Sequence, residues 1–339
     1  MRVVLTFVQA HRGMVFLCVG ICMGWFGLLT FQYVAENIQN TENRFEARQQ
    51  GQYKYINPLL ECEQAQKLGY KYYKATFDDV QKIIDTYKKN GQLTDAGIYF
   101  RDLNNGPWYS INENALFEPA SMFKLPLLVT LYKKRETDRG LFDQKLSVIL
   151  EKDESQNVKP SASAQVGASY TIRELIEYMI KYSDNNAAQA LFSFLDPKYT
   201  TEIFNDLGMN TLQDANKRFV VSVRNYSSIY RLLFNSSYLS RSDSEEILEL
   251  LTQTEFNNGL RKSIPSHVPL AHKFGERESQ DLQENSSYQL HDCGIVYYPG
   301  RPFLLCIMTK GTNSDTLTKV IQEISKSVYD TYDEKMKKL

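Results

Sequence analysis

Ser121 and Lys124 stand three residues apart in Glu118-Pro119-Ala120-Ser121-Met122-Phe123-Lys124-Leu125-Pro126, at the head of an apolar run. On a helix, that spacing stacks one side chain above the other, so the lysine amine can reach the serine hydroxyl. A lysine withdrawn from water gives up its proton more readily. The neutral amine can then take the serine proton and turn a weak nucleophile into an effective one. Alone, the pair could equally be a helix cap beside a solvated lysine. Ser121 is, however, the only serine in the chain with a lysine three residues on.

Two later stretches could complete a site. Ser183-Asp184-Asn185 falls between two helical patterns, where a tight turn can project side chains into a cleft. Lys273-Phe274-Gly275 closes a strand pattern at a glycine. Each is ordinary by itself, the first as a helix cap and the second as a strand end.

The elements that would position them can be read from periodicity. Helical spacing marks 77–88, with Val80, Ile83, Ile84 and Tyr87 on one face. Strands are expected at 96–103 and 108–111, joined by the turn-prone Asn104-Asn105-Gly106-Pro107. The Ser121 helix should run to about Arg135. The stretch 151–169, polar and broken by Pro160, reads as a surface connection. Thr171 is an N-cap with Glu174 at the capping-box position. Further helices are expected at 187–195, 200–207, 224–234 and 244–253, strands at 270–274, 288–297 and 303–308, and a closing helix at 315–330. Strands at both ends with helices between imply an α/β (α+β) sandwich. Its antiparallel sheet is built from both ends of the domain, around an inserted all-helical subdomain.

Composition narrows the partners. The chain has 39 basic and 40 acidic residues in 339, a near-neutral balance that does not point to nucleic acid. Residues 14–34 are almost wholly apolar and uncharged, long enough to span a bilayer as a helix. Arg2 and Arg12 precede the run and no basic residue follows before Arg44, so the N-terminus is expected in the cytoplasm. Residues 1–35 are therefore read as an uncleaved membrane anchor, 36–70 as a polar stalk, and 71–335 as an extracytoplasmic domain, periplasmic or at the cell surface. The four histidines and five cysteines show no metal-ligand spacing, and no metal or organic cofactor is implied. If Pro299-Gly300 centres a turn, Cys293 and Cys306 face one another across paired strands. Burial as two small thiols is the preferred reading there, with a disulfide as the alternative.

In order and context, Ser-x-x-Lys, Ser-Asp-Asn and Lys-x-Gly resemble the three motifs of the penicillin-recognising serine enzymes, and most closely the class A β-lactamases. The stretches 181–188, 258–265 and His291-Asp-Cys-Gly-Ile-Val296 add to the likeness, which covers about 77–330. The resemblance implies a class A β-lactamase-like fold and an acyl-enzyme on Ser121. It implies Lys124 as the base, Ser183 as proton relay and Lys273 as the source of positive potential. Asn185, Phe274, Gly275 and Glu276 would line the substrate, with the backbone N–H groups of Ser121 and Glu276 as the oxyanion hole.

Two departures stand out. The family's Glu-x-x-Leu-Asn, whose glutamate activates the deacylating water, has no counterpart. Glu202-Ile-Phe-Asn205 comes too early and reads as helix, and 214–223 offers only Asp214 as an acid. Phe274 replaces the usual hydroxyl residue. The expected activity is hydrolysis of β-lactam amides. The alternatives are a slowly deacylating D,D-peptidase or esterase, and a non-catalytic protein that binds cell-wall peptides. The expected partner is a small-molecule or peptidoglycan-derived acyl substrate.

Overall fold

The computed structural model describes residues 46–48, 53–57, 59–62, 68–104, 106–149, 158–209, 219–280 and 286–338. The apolar run 14–34 and Asp214 lie outside them. In chain order the elements are β1 (Glu46–Arg48), β2 (Leu59–Cys62), α1 (Leu68–Lys89), β3 (Leu93–Asp102), β4 (Trp108–Ile111) and β5 (Leu116–Phe117). A 3-10 turn, Ala120–Phe123, leads into α2 (Lys124–Arg135). The short strands β6 (Lys145–Ser147) and β7 (Ser169–Thr171) frame the start of the helical region. It holds α3 (Ile172–Lys181), α4 (Asn185–Phe194), α5 (Pro197–Asp206), β8 (Val221–Ser222), α6 (Val223–Phe234) and α7 (Arg241–Leu251). The chain closes with β9 (Leu270–Gln280), β10 (Ser286–Val296), β11 (Phe303–Gly311) and α8 (Ser314–Met336).

β3 and β4 from one end of the domain join β9–β11 from the other in a five-stranded sheet, ordered β4-β3-β11-β10-β9 and antiparallel throughout. Alternation along each strand sends side chains to opposite faces. Phe303, Leu305 and Ile307 of β11 enter the apolar layer that α1 and α8 cover. Leu304, Cys306 and Met308 enter the layer shared with the helical subdomain. Because both faces are buried, a one-residue slip would exchange the two layers, and this fixes the register. At one end of the sheet, Asp102 accepts hydrogen bonds from Tyr73 Oη of α1 (3.1 Å) and Tyr332 Oη of α8 (3.2 Å). That tie links both covering helices to β3.

Local chemistry sets the helix starts. Thr171 Oγ1 accepts from Glu174 N (3.2 Å) while Glu174 Oε2 accepts from Thr171 N (2.7 Å), the reciprocal capping box read from the sequence. α1 begins nine residues earlier than its apolar stripe requires, at Leu68 rather than Phe77. β9 and β10 also run longer than their hydrophobic cores. Glu202 lies within α5, as its helical spacing required.

The compact unit starts at Glu46 and so takes in part of the stretch expected as a stalk. β1 pairs with β2, and the connection between them is held against the body. The Glu245 carboxylate on α7 accepts from three successive backbone groups: Lys54 N (2.7 Å), Tyr55 N (2.9 Å) and Ile56 N (2.8 Å). Asn57 N donates to Phe234 O, and the buried Tyr55 ring meets Tyr297 edge-on. Across β10 and β11, Cys293 and Cys306 are bonded as a disulfide in paired register. This departs from the preferred reading of two separate thiols.

Candidate active site

Ser121 sits in the 3-10 turn and Lys124 opens α2, so the pair occupies one helical entry, as its spacing required. The Lys124 amine lies 3.1 Å from Ser121 Oγ. It also contacts Ser183 Oγ (3.1 Å), Asn185 Oδ1 (2.8 Å) and the Ser183 carbonyl oxygen. Lys273, on β9, donates to Ser183 Oγ (2.8 Å) and to the Phe274 carbonyl (3.2 Å). Ser121, Lys124, Ser183, Asn185 and Lys273 therefore form one connected polar cluster built from three separate parts of the chain.

Backbone strain marks both serines. Ser183 itself has φ +57°, and Ala120, just before Ser121, has φ +48°. Left-handed backbone at a non-glycine residue costs about 1–2 kcal/mol and persists only where its surroundings impose it. At Ser183, Asp184 N donates to Tyr178 O (3.1 Å), and the Asp184 carboxylate caps α4 through Ala187 N (2.8 Å). Near Ala120, Met122 N donates to Pro119 O, and the buried Tyr226 hydroxyl donates to Met122 O (2.9 Å).

Burial sets the electrostatics. Lys124 is 4 % exposed and Lys273 fully buried. Desolvation lowers the Lys124 pKa to about 7 against a partial opposing pull from Asp184. Lys273 is pushed well below the ordinary lysine value, first by desolvation and then by repulsion from Lys124, with Asp292 opposing. An ammonium has three protons to donate, yet the Lys124 nitrogen has four oxygen neighbours. As a neutral amine it can donate to the Ser183 carbonyl and Asn185 Oδ1, and keep its lone pair for the Ser121 hydroxyl. All four oxygens are uncharged, so among the described residues no carboxylate is bonded to Lys124.

Gly275 allows the two halves to meet. A Cβ there would lie 2.4 Å from Pro119 O and 3.0 Å from Met122 N, so any side chain would push β9 off the Ser121 turn. The Phe274 ring stacks on Phe256 at 3.9 Å, at the edge of the layer beneath α8, and the Lys273 amine lies 4.4 Å from its centroid. An aromatic face therefore stands beside the Lys273–Ser183 contact, where a hydroxyl residue was expected. The Glu276 side chain also has partners of its own, accepting from Val158 N at 3.0 Å.

Several supports were not read from the sequence. Buried His291 donates from Nε2 to Glu118 O (2.9 Å) and accepts at Nδ1 from Thr309 N (3.2 Å). Burial lowers its pKa to about 4, so the ring is neutral and holds the backbone ahead of Ser121. The Glu118 carboxylate pairs with Arg277 Nε (2.8 Å), and Gln289 Oε1 accepts from Glu118 N (3.0 Å). An acid between Phe117 and Pro119, in an otherwise apolar approach to the nucleophile, was the available signal. His272 is bonded to Asp292 (2.9 Å) beneath the opposite face.

A five-stranded antiparallel sheet, an inserted helical subdomain and a serine–lysine–serine–lysine cluster at their junction define a class A β-lactamase-like serine enzyme. A profile of the Beta-lactamase enzyme family matches residues 76–332, and the chain belongs to that family. A β-lactamase of Bacteroides uniformis is 23% identical over 263 residues, covering 71% of this chain and 87% of its own length. The extended-spectrum β-lactamase PER-1 of Pseudomonas aeruginosa is 22% identical over 240 residues, covering 65% and 76% respectively. Among solved structures, PBP-A superposes with a TM-score of 0.63 at 22% identity, over 76% of this chain and 96% of its own. A variant of the last common ancestor of Gram-negative class A β-lactamases gives 0.64 at 20% identity, over 77% and 99%.

Proposed function

We propose that this chain is a serine hydrolase of the β-lactamase type that opens β-lactam amides through an acyl-enzyme on Ser121. The observation that carries the reading is the 3.1 Å contact between Ser121 Oγ and a buried Lys124 whose pKa is lowered to about 7. Neutral Lys124 takes the Ser121 proton as Oγ attacks the lactam carbonyl, and the C–O bond forms. The tetrahedral oxyanion is received by the backbone N–H groups of Ser121 and Glu276. The C–N bond then breaks, and the departing nitrogen takes a proton from Ser183 Oγ. That proton is replaced from Lys124, which holds the one removed from Ser121. Lys273 keeps the Ser183 oxygen polarised, and Asn185 is left to hold an acyl side-chain amide.

Hydrolysis of the ester needs a second activation, of water. With no carboxylate bonded to Lys124 among the described residues, the base available is Lys124 itself. This favours slow release, in the manner of a D,D-peptidase or esterase. A variant of the related PBP-A fold has been solved as an acyl-enzyme complex with penicillin G. Residues 14–34 would hold the enzyme in a bilayer as a single pass, with the catalytic domain on the extracytoplasmic side facing β-lactams or peptidoglycan-derived peptides.

The test is a time course of a chromogenic β-lactam with the full chain, followed by intact mass. Turnover, or a stoichiometric adduct lost in Ser121→Ala, supports the reading. An adduct that persists in Ser121→Ala removes Ser121 as the nucleophile. Neither turnover nor adduct would leave a fold retained for binding.

A further inference from the structure

The segment 158–164 touches both walls of the Ser121 cleft. On the helical wall, Ser163 Oγ donates to Asp184 Oδ1, and Ala164 N donates to Asp184 Oδ2 (3.2 Å). Asn186 Nδ2 returns a bond to Ala164 O (3.0 Å). Asp184 and Asn186 flank Ser183 and Asn185 in the chain, so this end of the segment is fixed to the turn that presents them. On the sheet wall, Val158 N donates to Glu276 Oε2 (3.0 Å), and Val158 packs on the apolar layer containing Phe256 and Phe274. Between the two ends, Ser161 Oγ donates to Glu255, four residues beyond the last residue of α7. The five steps from residue 158 to residue 163 can reach at most about 18 Å. The outer side of the segment is solvent-exposed at Lys159 and Ser161.

We propose that residues 158–164 form a strap across the mouth of the Ser121 cleft, and that Glu276, by holding its sheet end, makes the site select acyl donors with small side chains. The inference rests on the acyl-serine reading above and names a substrate preference for that site. Glu276 is suited to the task because its backbone stands at the oxyanion position while its carboxylate reaches the strap. The strap therefore closes on the strand along which an acyl donor must lie. β9 is an edge strand, and a long donor running along that edge meets Val158 and Pro160, whereas a short one does not. A single excluded group in such a pocket changes relative rates by about tenfold to a hundredfold.

Two substitutions break the same bond from opposite ends: Glu276→Ala removes the acceptor and Val158→Pro removes the donor. The full chain, each variant and the double variant are acylated with 6-aminopenicillanic acid and with a dye-linked penicillin, and adduct formation is followed by intact mass. Each single variant is expected to raise the large-to-small ratio of acylation rates about tenfold. The double variant should give no more than either single change, because only one bond is being lost. Amide exchange within 158–164 should quicken in all three. An unchanged ratio alongside faster exchange overturns the selectivity, and additive effects or unchanged exchange overturn Glu276 as the anchor. If neither probe acylates any of the proteins, the acyl-serine reading itself fails and the selectivity falls with it. Exchange would then still decide whether Glu276 holds the strap.

Discussion

The two flanks of the helix that Lys124 opens differ in kind. Toward Ser183 and β9, Lys124 and Lys273 share hydroxyls and carbonyls in a buried polar network, with no carboxylate bonded to either amine among the described residues. Round the helix, the Phe123 ring meets Phe192 at 5.7 Å, Phe204 at 5.1 Å and Phe219 at 5.9 Å. One flank is arranged to pass protons between oxygen and nitrogen, and the other, among the described residues, offers rings. Forming an ester needs one proton acceptor beside the nucleophile, but hydrolysing it needs a second beside a water. The polar flank has an amine beside the Ser121 hydroxyl for the first need, and toward the second the aromatic flank offers only rings among the described residues.

That contrast can be broken from either side. The largest effect is expected from Ser121→Ala, which should lower the acylation rate by at least about a thousandfold, read by intact mass. Lys124→Arg keeps a charge but supplies no base, and should cost about a hundredfold or more in acylation rate. The pH profile separates the two forms of the site. Lys124 accepts a proton only when neutral, so wild-type acylation should rise as pH passes upward through about 7 and level off above it. In Lys124→Arg that rise should disappear. Placing a carboxylate on the aromatic flank, as in Phe219→Glu, should hasten decay of the adduct about tenfold with little change in its formation. An adduct whose lifetime does not change would show that the rings are not what limits water.

Two smaller effects concern the frame. The Cys293–Cys306 bond closes a 13-residue span, so reduction or Cys306→Ala should cost at most about 3 kcal/mol, read as a lower Tm. Because strand register already holds the pair together, Ser121 should still be acylated after reduction. Glu245→Ala leaves three backbone donors without their acceptor and should cost about 1–2 kcal/mol, seen as earlier denaturant unfolding.

Much of this was legible in the residues. Ser121 and Lys124 could be paired by spacing alone. Thr171 and Glu174 announced their cap, and the alternation in 288–308 fixed two strands with a turn at Gly300, whose φ is +72°. Those signals are local, and local chemistry decided the outcome. What escaped depended on partners far along the chain. Tyr55 and Ile56 read as stalk because the carboxylate that captures their backbone lies about 190 residues away. Phe274 was read by motif position alone, and its stacking on Phe256, 18 residues earlier in the chain, needed the fold to appear. His291 had no assignable role until the Glu118 carbonyl stood opposite it. The polar stretch 151–169 looked like a plain connection because the tethers of Ser163 and Val158, Asp184 and Glu276, come from two different walls.

The pairing of β3 with β11 also bears on how the protein comes into being. Asp102 lies opposite Phe303 and Ile98 opposite Ile307, about two hundred residues apart in the chain. A ribosome delivers β3 first, and the strand must wait for nearly the whole domain before its neighbour exists. Contacts this distant in sequence slow folding, because a long loop must be closed before they contribute. During that interval Ile98 and Phe100, destined for the interior, have no β11 to cover them, and the nascent chain is open to association with others. Lys273 arrives only with β9, so the Ser121 turn is made long before the strand that completes its polar cluster. Catalytic competence is thus among the last properties this chain acquires.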